Sequence, residues 1–375
     1  MKMQKQDAVC IIPLPWKGDR YRHKLHSICS RICSFPPSLA KYFILNYSNE
    51  GDIVFDPFSG KGTLPLEALL NNRIGWGNDV SPEAYILTKA KVDKIIPKIF
   101  FQYLKKLKSQ MGFIKSTEDV DPKVKVFYHD STLKQIIELK ELLKNKKSKY
   151  AIFTKAIILG ILHGSSSYSL SLRCSHSYSM SPGYVKKYAE KNGLEKPIRD
   201  VIDCIKNKSL NCLKEGVPSF CGKAFNYDSR NIKIDSDSVD LIVTSPPYFA
   251  IQTYAYDNWL RHWFLGYDYK DVNRLLVNTN SEEKYGQFML DSMKEMYRVL
   301  KEGSKCFIVI GDVKKKTSKG DVVINTAEFL IKYVKEAGFT FERIIIDKIP
   351  QGRKVFNSAL CSAGISTERI LVLEK

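Results

Sequence analysis

Residues 51–79 read GDIVFDPFSGKGTLPLEALLNNRIGWGND. The apolar run Gly51–Asp56 predicts a short buried strand, and Pro65–Asn71 predicts a helix that follows a glycine-containing turn. Ile74–Asp79 predicts a second strand that ends in an acid. A strand, a glycine turn, a helix and a strand with an acidic end form the layout of a half-site for a nucleotide-type cofactor. This segment therefore predicts an α/β fold.

The turn after the first strand carries the residues that favour a ligand site. Gly60 and Gly62 permit a tight turn and a close backbone approach, and the following helix N-terminus offers free amide donors. The carboxylate of Asp79 can accept both hydroxyls of a ribose. A nicotinamide fingerprint would need a third glycine, and a phosphate-binding P-loop would need glycine where Phe55 stands. An ordinary glycine turn between a strand and a helix is the alternative.

Strands and helices alternate again after residue 220. Val239–Thr244 and Lys305–Ile310 predict strands, and Phe339–Asp347 with Glu368–Glu374 predicts a closing antiparallel hairpin. Tyr285–Leu300 has helical spacing. The pattern predicts a doubly wound α/β fold of roughly seven mostly parallel strands, with a C-terminal β-hairpin.

Three regions divide the chain. Residues 1–95 hold the glycine turn, residues 221–375 hold the second run of strands, and residues 96–220 interrupt the alternation. The middle region is mainly helical, which indicates an insertion. It contains a Ser-rich loop that extends from Gly164 to Gly183.

The amino-acid composition indicates which classes of partner the protein can bind. The chain has 59 basic and 40 acidic residues, a net charge of +19, which favours nucleic acid as a partner. No apolar run of about 18 residues predicts a membrane span, and the short apolar stretch near the N-terminus does not resemble a signal peptide, so a cytoplasmic protein is expected. The nine cysteines form no paired zinc motif, so no metal site is expected.

Two motifs carry a resemblance to a known family. Asp56-Pro-Phe-Ser-Gly-Lys-Gly-Thr63 and Ser245-Pro-Pro-Tyr248 follow predicted strands. They resemble the DPFxGxGT and (S/N/D)PPY signatures of the amino-methylating DNA methyltransferases. The resemblance covers about 1–95 and 221–375. It implies a methyltransferase sheet, S-adenosylmethionine as cofactor, a flipped DNA base as substrate, no metal, and a companion restriction endonuclease as a further partner.

The second motif suits methylation of an exocyclic amine, whose lone pair is delocalised into the base. Hydrogen-bond acceptors on its two hydrogens favour a pyramidal nitrogen, and the Ser245 hydroxyl and the Pro246 carbonyl could serve. The pair Pro246-Pro247 restricts φ and so fixes the carbonyl direction. Tyr248 would stack on the base.

Ser245 bears on the choice of base. In the family, serine before Pro-Pro is typical of cytosine-N4 enzymes, whereas aspartate or asparagine is typical of adenine-N6 enzymes. The resemblance therefore favours cytosine N4. The alternatives are adenine N6, an RNA methyltransferase of the tRNA guanine-N2 type, and a DNA-binding subunit without activity.

The resemblance also implies a set of residues that contact the cofactor. Asp228 would contact the adenine amino group, with Asp130, at the end of a predicted strand Val124–Asp130, as the alternative. Asp56 would lie near the methionine end, or would only cap the turn. The full set is Phe35, Pro36, Asp56, Phe58, Ser59, Gly60, Gly62, Thr63, Asp79 and Asp228.

Charged residues in two places are candidates for DNA contact. The Ser-rich loop and the helix after it contain Arg173, His176 and Lys186. Arg261 lies among aromatic residues that could stack on bases. A lid over the cofactor is the alternative role for the loop, and core packing is the alternative for the aromatic stretch.

Overall fold

An eight-stranded sheet forms the centre of the molecule in the computed structural model, which describes residues 9–10, 15–16, 22–31, 35–173, 181–249, 254–317, 320–348 and 367–375. In chain order the strands are β1 (Val9–Cys10), β2 (Ile53–Asp56), β3 (Ile74–Asn78), β4 (Lys223–Phe225), β5 (Val239–Thr244), β6 (Leu300–Gly311), β7 (Val313–Thr317), β8 (Gly320–Ile324), β9 (Thr340–Lys348) and β10 (Thr367–Glu374). Strands β7 and β8 form a separate antiparallel hairpin.

The order of the strands creates a switch point at the middle of the sheet. Across the sheet the order is β1-β9-β10-β6-β5-β2-β3-β4. All neighbours are parallel except β10, which is antiparallel to both β9 and β6. The predicted mostly parallel sheet with a closing hairpin is thus confirmed, with β1 as an added edge strand. From β2 the chain builds outward to β3 and β4, and then crosses to β5 and β6, so a ligand site is expected between β2 and β5.

Helices cover both faces of the sheet, and the alternation along β2 shows why. Val54 packs with the first helix on one face, while Phe55 packs with two C-terminal helices on the other. A 3₁₀ helix spans Lys24–Ser27. The α-helices are α1 (Pro37–Tyr47), α2 (Thr63–Leu70), α3 (Pro82–Val92), α4 (Pro97–Ser109), α5 (Pro122–Lys125), α6 (Asp130–Leu143), α7 (Lys149–Ile161), α8 (Pro182–Lys191), α9 (Val201–Leu213), α10 (Tyr254–Asp257), α11 (Trp259–Leu265), α12 (Tyr269–Leu275), α13 (Glu282–Val299) and α14 (Thr326–Glu336).

Helices α4 to α9 lie where a mainly helical insertion was expected, and they share one core with the sheet-covering helices. This core joins Phe153 of α7 to Leu87 of α3 and to Leu25 near the N-terminus. Trp259 and Phe264 of α11 are buried in the same cluster, so these aromatic residues pack in a core rather than on a surface.

The predicted strand Val124–Asp130 is wrong. Asp121 caps a helix start by accepting from Lys123 N at 2.8 Å, and Pro122 occupies the first helical position. These helix-start signals outweigh the strand-like alternation of Val124 and Val126. The segment therefore forms α5 and the start of α6 instead of a strand. None of the described helices is long and apolar enough to cross a membrane.

Candidate active site

A cleft opens at the switch point, at the carboxyl ends of β2, β3, β4 and β5. It encloses about 760 Å³ when the space open to solvent is included. Residues from both sequence motifs line it. The lining residues are Arg31, Pro57, Phe58, Asn78, Asp79, Val80, Asp228, Ser229, Arg230, Ser245, Pro246, Pro247, Tyr254, Leu275, Leu276, Val277 and Phe288.

The glycine turn lies beneath this cleft and has the left-handed backbone that glycine permits. The φ angles of Gly60 and Gly62 are +52° and +71°. A Cβ at Gly62 would lie 2.9 Å from Thr88 Cα, so a side chain cannot be added without moving α3. The neighbouring Ser59 is buried, with its hydroxyl 2.9 Å from that of Thr88. The turn is therefore held against α3 by close packing.

Thr63, the first residue of α2, supplies an unpaired polar atom beside the turn. Its side chain is buried, and its hydroxyl oxygen has no hydrogen-bond partner among the described residues. Buried hydroxyl groups without partners are uncommon in proteins. This orphaned hydroxyl, beside a turn whose glycines allow close approach, fits a turn that contacts a bound polar group.

Asp79 follows β3 and faces the cleft. Its Oδ2 accepts a hydrogen bond from Gly60 N at 2.9 Å, and its Oδ1 accepts from Ser81 N at 2.9 Å. Burial raises the pKa of Asp79, while Arg31 and the two backbone donors act in the opposite direction. The carboxylate is therefore fixed in direction by the turn that it closes, and each oxygen keeps a second lone pair for a ligand.

Asp56 does not line the cleft. Its Oδ1 accepts from the Thr244 hydroxyl at 2.6 Å and from Phe58 N at 3.0 Å. Burial raises the pKa of Asp56 to about 7. Asp56 therefore caps its own turn, which was the alternative considered from sequence, and it also joins the end of β2 to the end of β5.

Residues 245–248 follow β5, and their two ends have different environments. Ser245 and Pro246 line the cleft, and among the described residues no donor or acceptor bonds the Ser245 hydroxyl or the Pro246 carbonyl. The next carbonyl, that of Pro247, accepts from the buried Tyr285 hydroxyl at 3.0 Å. Two acceptors thus remain without partners among the described residues, on a backbone that is anchored one residue later.

The placement of Tyr248 differs from the one that a stacking role would suggest. The side chain is buried, and its hydroxyl donates to Glu368 Oε1 on β10 at 3.1 Å. It does not line the cleft, whereas Tyr254 does. The hydroxyl therefore holds the ring against the sheet in this structure, and stacking of Tyr248 on a base stays a prediction.

Asp228 lies in the cleft and Asp130 does not. Arg230 holds the Asp228 carboxylate through two bonds, Nε to Oδ1 at 2.9 Å and Nη2 to Oδ2 at 2.6 Å, and this pairing lowers the pKa of Asp228. Asp130 is exposed at the start of α6 and pairs with Lys134 at 3.1 Å. Of the two candidates, Asp228 is thus the one in the cleft, and its contact with the cofactor stays a prediction.

Two aromatic residues of the predicted cofactor set differ in placement. Phe58 lines the cleft, with its ring 6.0 Å from that of Phe288. Phe35 is buried in the core beneath α1, and neither it nor Pro36 is among the described residues that line the cleft. In this structure the segment before α1 contributes Arg31 instead, a residue that no sequence motif marked.

The candidate DNA contacts separate into exposed and buried residues. Arg173 and Lys186 are exposed, whereas His176 lies outside the described residues. Arg261 is only 4% exposed, and its guanidinium donates to Leu159 O at 3.2 Å and to Ser30 O at 2.8 Å. The predicted DNA contact at Arg261 is therefore corrected, because its donors join α11 to α7 and to the segment before α1.

Known proteins match this chain over parts of its length. A model of the N6/N4 family, described as DNA methylase, matches residues 15–90 and 239–375, more than half of the chain. The orphan methyltransferase M.BamHII of Bacillus amyloliquefaciens is 57% identical over 49 residues, which are 13% of this chain and 18% of that protein. The type II methyltransferase M.BsoBI of Geobacillus stearothermophilus is 23% identical over 293 residues, 67% of this chain and 54% of that protein.

The chain thus spans about half or less of the length of these curated relatives. Among solved structures, that of a DNA modification methylase from Thermus thermophilus in complex with S-adenosyl-L-methionine is similar with a TM-score of 0.26 and 21% identity, over 40% of this chain and 51% of that chain.

Proposed function

We propose that this chain, which belongs to the N6/N4 DNA methylase family, transfers a methyl group from S-adenosylmethionine to the exocyclic amino group of a DNA base. The base lies in a specific DNA sequence, and cytosine N4 is favoured over adenine N6. One observation carries the proposal. Ser245 and Pro246, whose hydroxyl and carbonyl have no hydrogen-bond partner among the described residues, line the same cleft as Asp79 and Asp228. Acceptors for an amine and acids for a nucleoside therefore meet at the switch point of the sheet.

The residues of the cleft fit the proposed cofactor. Asp79 would accept the ribose hydroxyls, and Asp228 on the neighbouring loop would accept from the adenine amino group. Phe58 offers an apolar wall for the adenine ring. When bound, the cofactor supplies an electrophilic methyl group on a sulfonium, so the protein has to hold and orient the amine.

Positioning by hydrogen-bond acceptors is the catalytic contribution that we assign to residues 245 and 246. Hydrogen bonds from the amine to Ser245 Oγ and Pro246 O would favour a pyramidal nitrogen with its lone pair free to attack. The carbonyl is pre-oriented, because two prolines restrict the backbone and Tyr285 anchors the carbonyl of Pro247. Fixed dipoles of this kind need no reorganisation during the reaction.

DNA as the substrate is supported by charge as well as by family. The net charge of +19 favours a polyanionic partner. Arg173 and Lys186, exposed on and near the Ser-rich loop of the insertion, are the proposed DNA contacts, with His176 of the same loop proposed on sequence alone. A base inside a duplex cannot reach a cleft of this kind, so the target base would have to leave the helix. A companion restriction endonuclease is proposed by analogy with type II relatives.

A methyl-transfer assay with labelled S-adenosylmethionine and unmethylated genomic DNA, followed by nucleoside mass spectrometry, tests this function. We expect N4-methylcytosine from the natural chain and at least a hundredfold slower transfer from Ser245→Ala, since removing one fixed acceptor or donor at a reacting group has effects of about 10² to 10³. Ser245→Asp is the matched variant, because it restores an acceptor and should recover part of the activity.

Other products would change the assignment in defined ways. N6-methyladenine would keep the mechanism and overturn the preference for cytosine. Methylation of RNA but not DNA would overturn the DNA assignment. Absence of any product, with DNA binding retained, would favour a DNA-binding subunit.

A further inference from the structure

We propose that Arg31 binds the carboxylate of the amino-acid part of S-adenosylmethionine. The inference rests on the proposed function, and it concerns a residue outside both sequence motifs. Arg31 lies in the short segment between the 3₁₀ helix and α1 and reaches the wall of the cleft.

Two nitrogens of the Arg31 guanidinium bond a carboxylate, and the third has no partner among the described residues. Its Nε and Nη2 lie 3.2 Å and 3.0 Å from Oε1 of Glu83. Its Nη1 has no hydrogen-bond partner among the described residues and lies 2.6 Å from the position that a Cβ would take at Gly60. The free nitrogen is therefore directed at the glycine turn, and only a residue without a side chain leaves room for it.

Glu83 is a rigid anchor for this arginine. It is fully buried near the start of α3, and the Ser81 hydroxyl donates to its other oxygen, Oε2. Although burial alone would raise its pKa, Arg31 and the surrounding groups lower the pKa of Glu83 to about 2. The anchor stays ionised at neutral pH, so Arg31 loses little further conformational entropy when it binds a ligand.

The distribution of charge in the cleft shows which part of the ligand Arg31 would meet. Asp79 and Asp228 suit hydroxyl and amino groups, but they would repel a carboxylate. Two of the described lining residues are cationic, Arg31 and Arg230. Arg230 already gives its Nε and Nη2 to Asp228, on the side assigned to the adenine. The ligand's carboxylate is thus expected away from the Asp228–Arg230 pair, on the side of the glycine turn. Asp79 also lies on that side, but the charge of Arg31 offsets that of Asp79, and an arginine with an open nitrogen is the preferred partner of a carboxylate.

Isothermal titration calorimetry with S-adenosylmethionine and its decarboxylated analogue separates this role from a structural one. In the natural chain we expect the analogue to bind about 10- to 100-fold more weakly, the range for a charge-assisted hydrogen bond. The Arg31→Met variant should bind S-adenosylmethionine more weakly than the natural chain does, by the same factor, and should bind the analogue with unchanged affinity. The affinities of the variant for the two ligands should therefore be nearly equal. Arg31→Lys should give an intermediate ratio, because it keeps the charge without the planar fork.

Arg230→Met is the matched control, since it removes the other arginine of the cleft and should preserve the ratio of the two affinities. The inference is overturned if the natural chain binds both ligands equally, if Arg31→Met weakens both to the same extent, or if the ratio collapses in Arg230→Met instead. Even if Arg31→Met fails to fold, the ratio of the affinities of the natural chain for the two ligands still tests the inference, because a ratio of one would overturn it. Failure of the proposed cofactor is distinguishable, because the natural chain would then bind neither ligand, whereas a wrong choice of substrate would leave both affinities unchanged.

Discussion

Replacing Thr244 by valine should destabilise the protein in a pH-dependent manner. Thr244 is fully buried, and its hydroxyl donates to Asp56 at 2.6 Å. Valine has nearly the same shape, so the substitution chiefly removes this donor. A hydrogen bond to a charged group contributes about 1.5–3 kcal/mol, and we therefore expect the free energy of unfolding to fall by about 2 kcal/mol at pH 8.

The pH dependence follows from the pKa of Asp56. Burial raises this pKa from 3.8 to about 7, and the Thr244 hydroxyl acts to lower it. Between these values the folded state holds a proton that the unfolded state has lost, so the contribution of Asp56 to stability falls as the pH rises through this window. Without the donor the folded pKa rises further. The variant should therefore lose less stability at pH 5, where Asp56 is protonated in the folded state, than at pH 8.

Urea unfolding at pH 5, 6, 7 and 8, followed by tryptophan fluorescence, measures this difference. Thr244→Ser keeps the donor and lacks one methyl group, so it should lose about 1 kcal/mol at every pH. Equal losses at pH 5 and pH 8 for Thr244→Val would refute the reasoning, as would a pH-dependent loss in Thr244→Ser. Because the next residue is Ser245, we also expect Thr244→Val to lower the rate of methyl transfer more than Thr244→Ser does.

Three further predictions concern buried contacts. Gly62→Ala should cost about 2–4 kcal/mol in denaturant unfolding, from a positive φ and a clash with Thr88, whereas Gly51→Ala, with a positive φ and open space, should cost about 1–2 kcal/mol. Burial lowers the pKa of Lys91 from 10.5 to about 7, so between pH 7 and pH 9 the unfolded chain holds a proton that the folded chain has lost. The free energy of unfolding of the natural chain should therefore rise with pH relative to that of Lys91→Met, by up to about 1.4 kcal/mol per pH unit. A difference that stays constant with pH would contradict this prediction. Arg261→Lys should lower the melting temperature and leave the salt dependence of DNA binding unchanged. If Arg261 contacted a phosphate, its loss would instead reduce the slope of the logarithm of the DNA-binding constant against the logarithm of the salt concentration by about one.

Local signals in the sequence were sufficient for the central part of the fold. The strand predicted at Val239–Thr244 has the observed bounds, and the predicted Ile74–Asp79 differs from β3 by one residue. Val239–Thr244 is a mainly apolar run that ends just before Ser245-Pro246-Pro247, and the other strand ends just before the charged Asp79. Short runs bounded in this way favour strands. The predicted hairpin Phe339–Asp347 with Glu368–Glu374 is likewise confirmed by the pairing of β9 and β10.

Features that depend on distant partners were not predictable in the same way. Arg31 acquires its direction from Glu83, which is 52 positions away along the chain. Tyr248 turns from the cleft because Glu368, 120 positions away, accepts its hydroxyl. Arg261 is buried because carbonyl groups of two other segments take its donors. A residue type and a motif indicate what a side chain can bond, but only the tertiary fold determines which partner it meets.

The core that the insertion shares with its surroundings restricts how chimaeric proteins could be built by exchanging the insertion. A transplant cut at the ends of α4 and α9 would leave Leu25, Leu87 and Trp259 without their apolar neighbours. Each exposed side chain of this size would reduce stability by about 1.5–3 kcal/mol, and the sum approaches the whole stability of an ordinary domain. A transferable unit would have to include the 3₁₀ helix and α11, so that donor and recipient exchange a complete packing interface rather than a stretch of sequence.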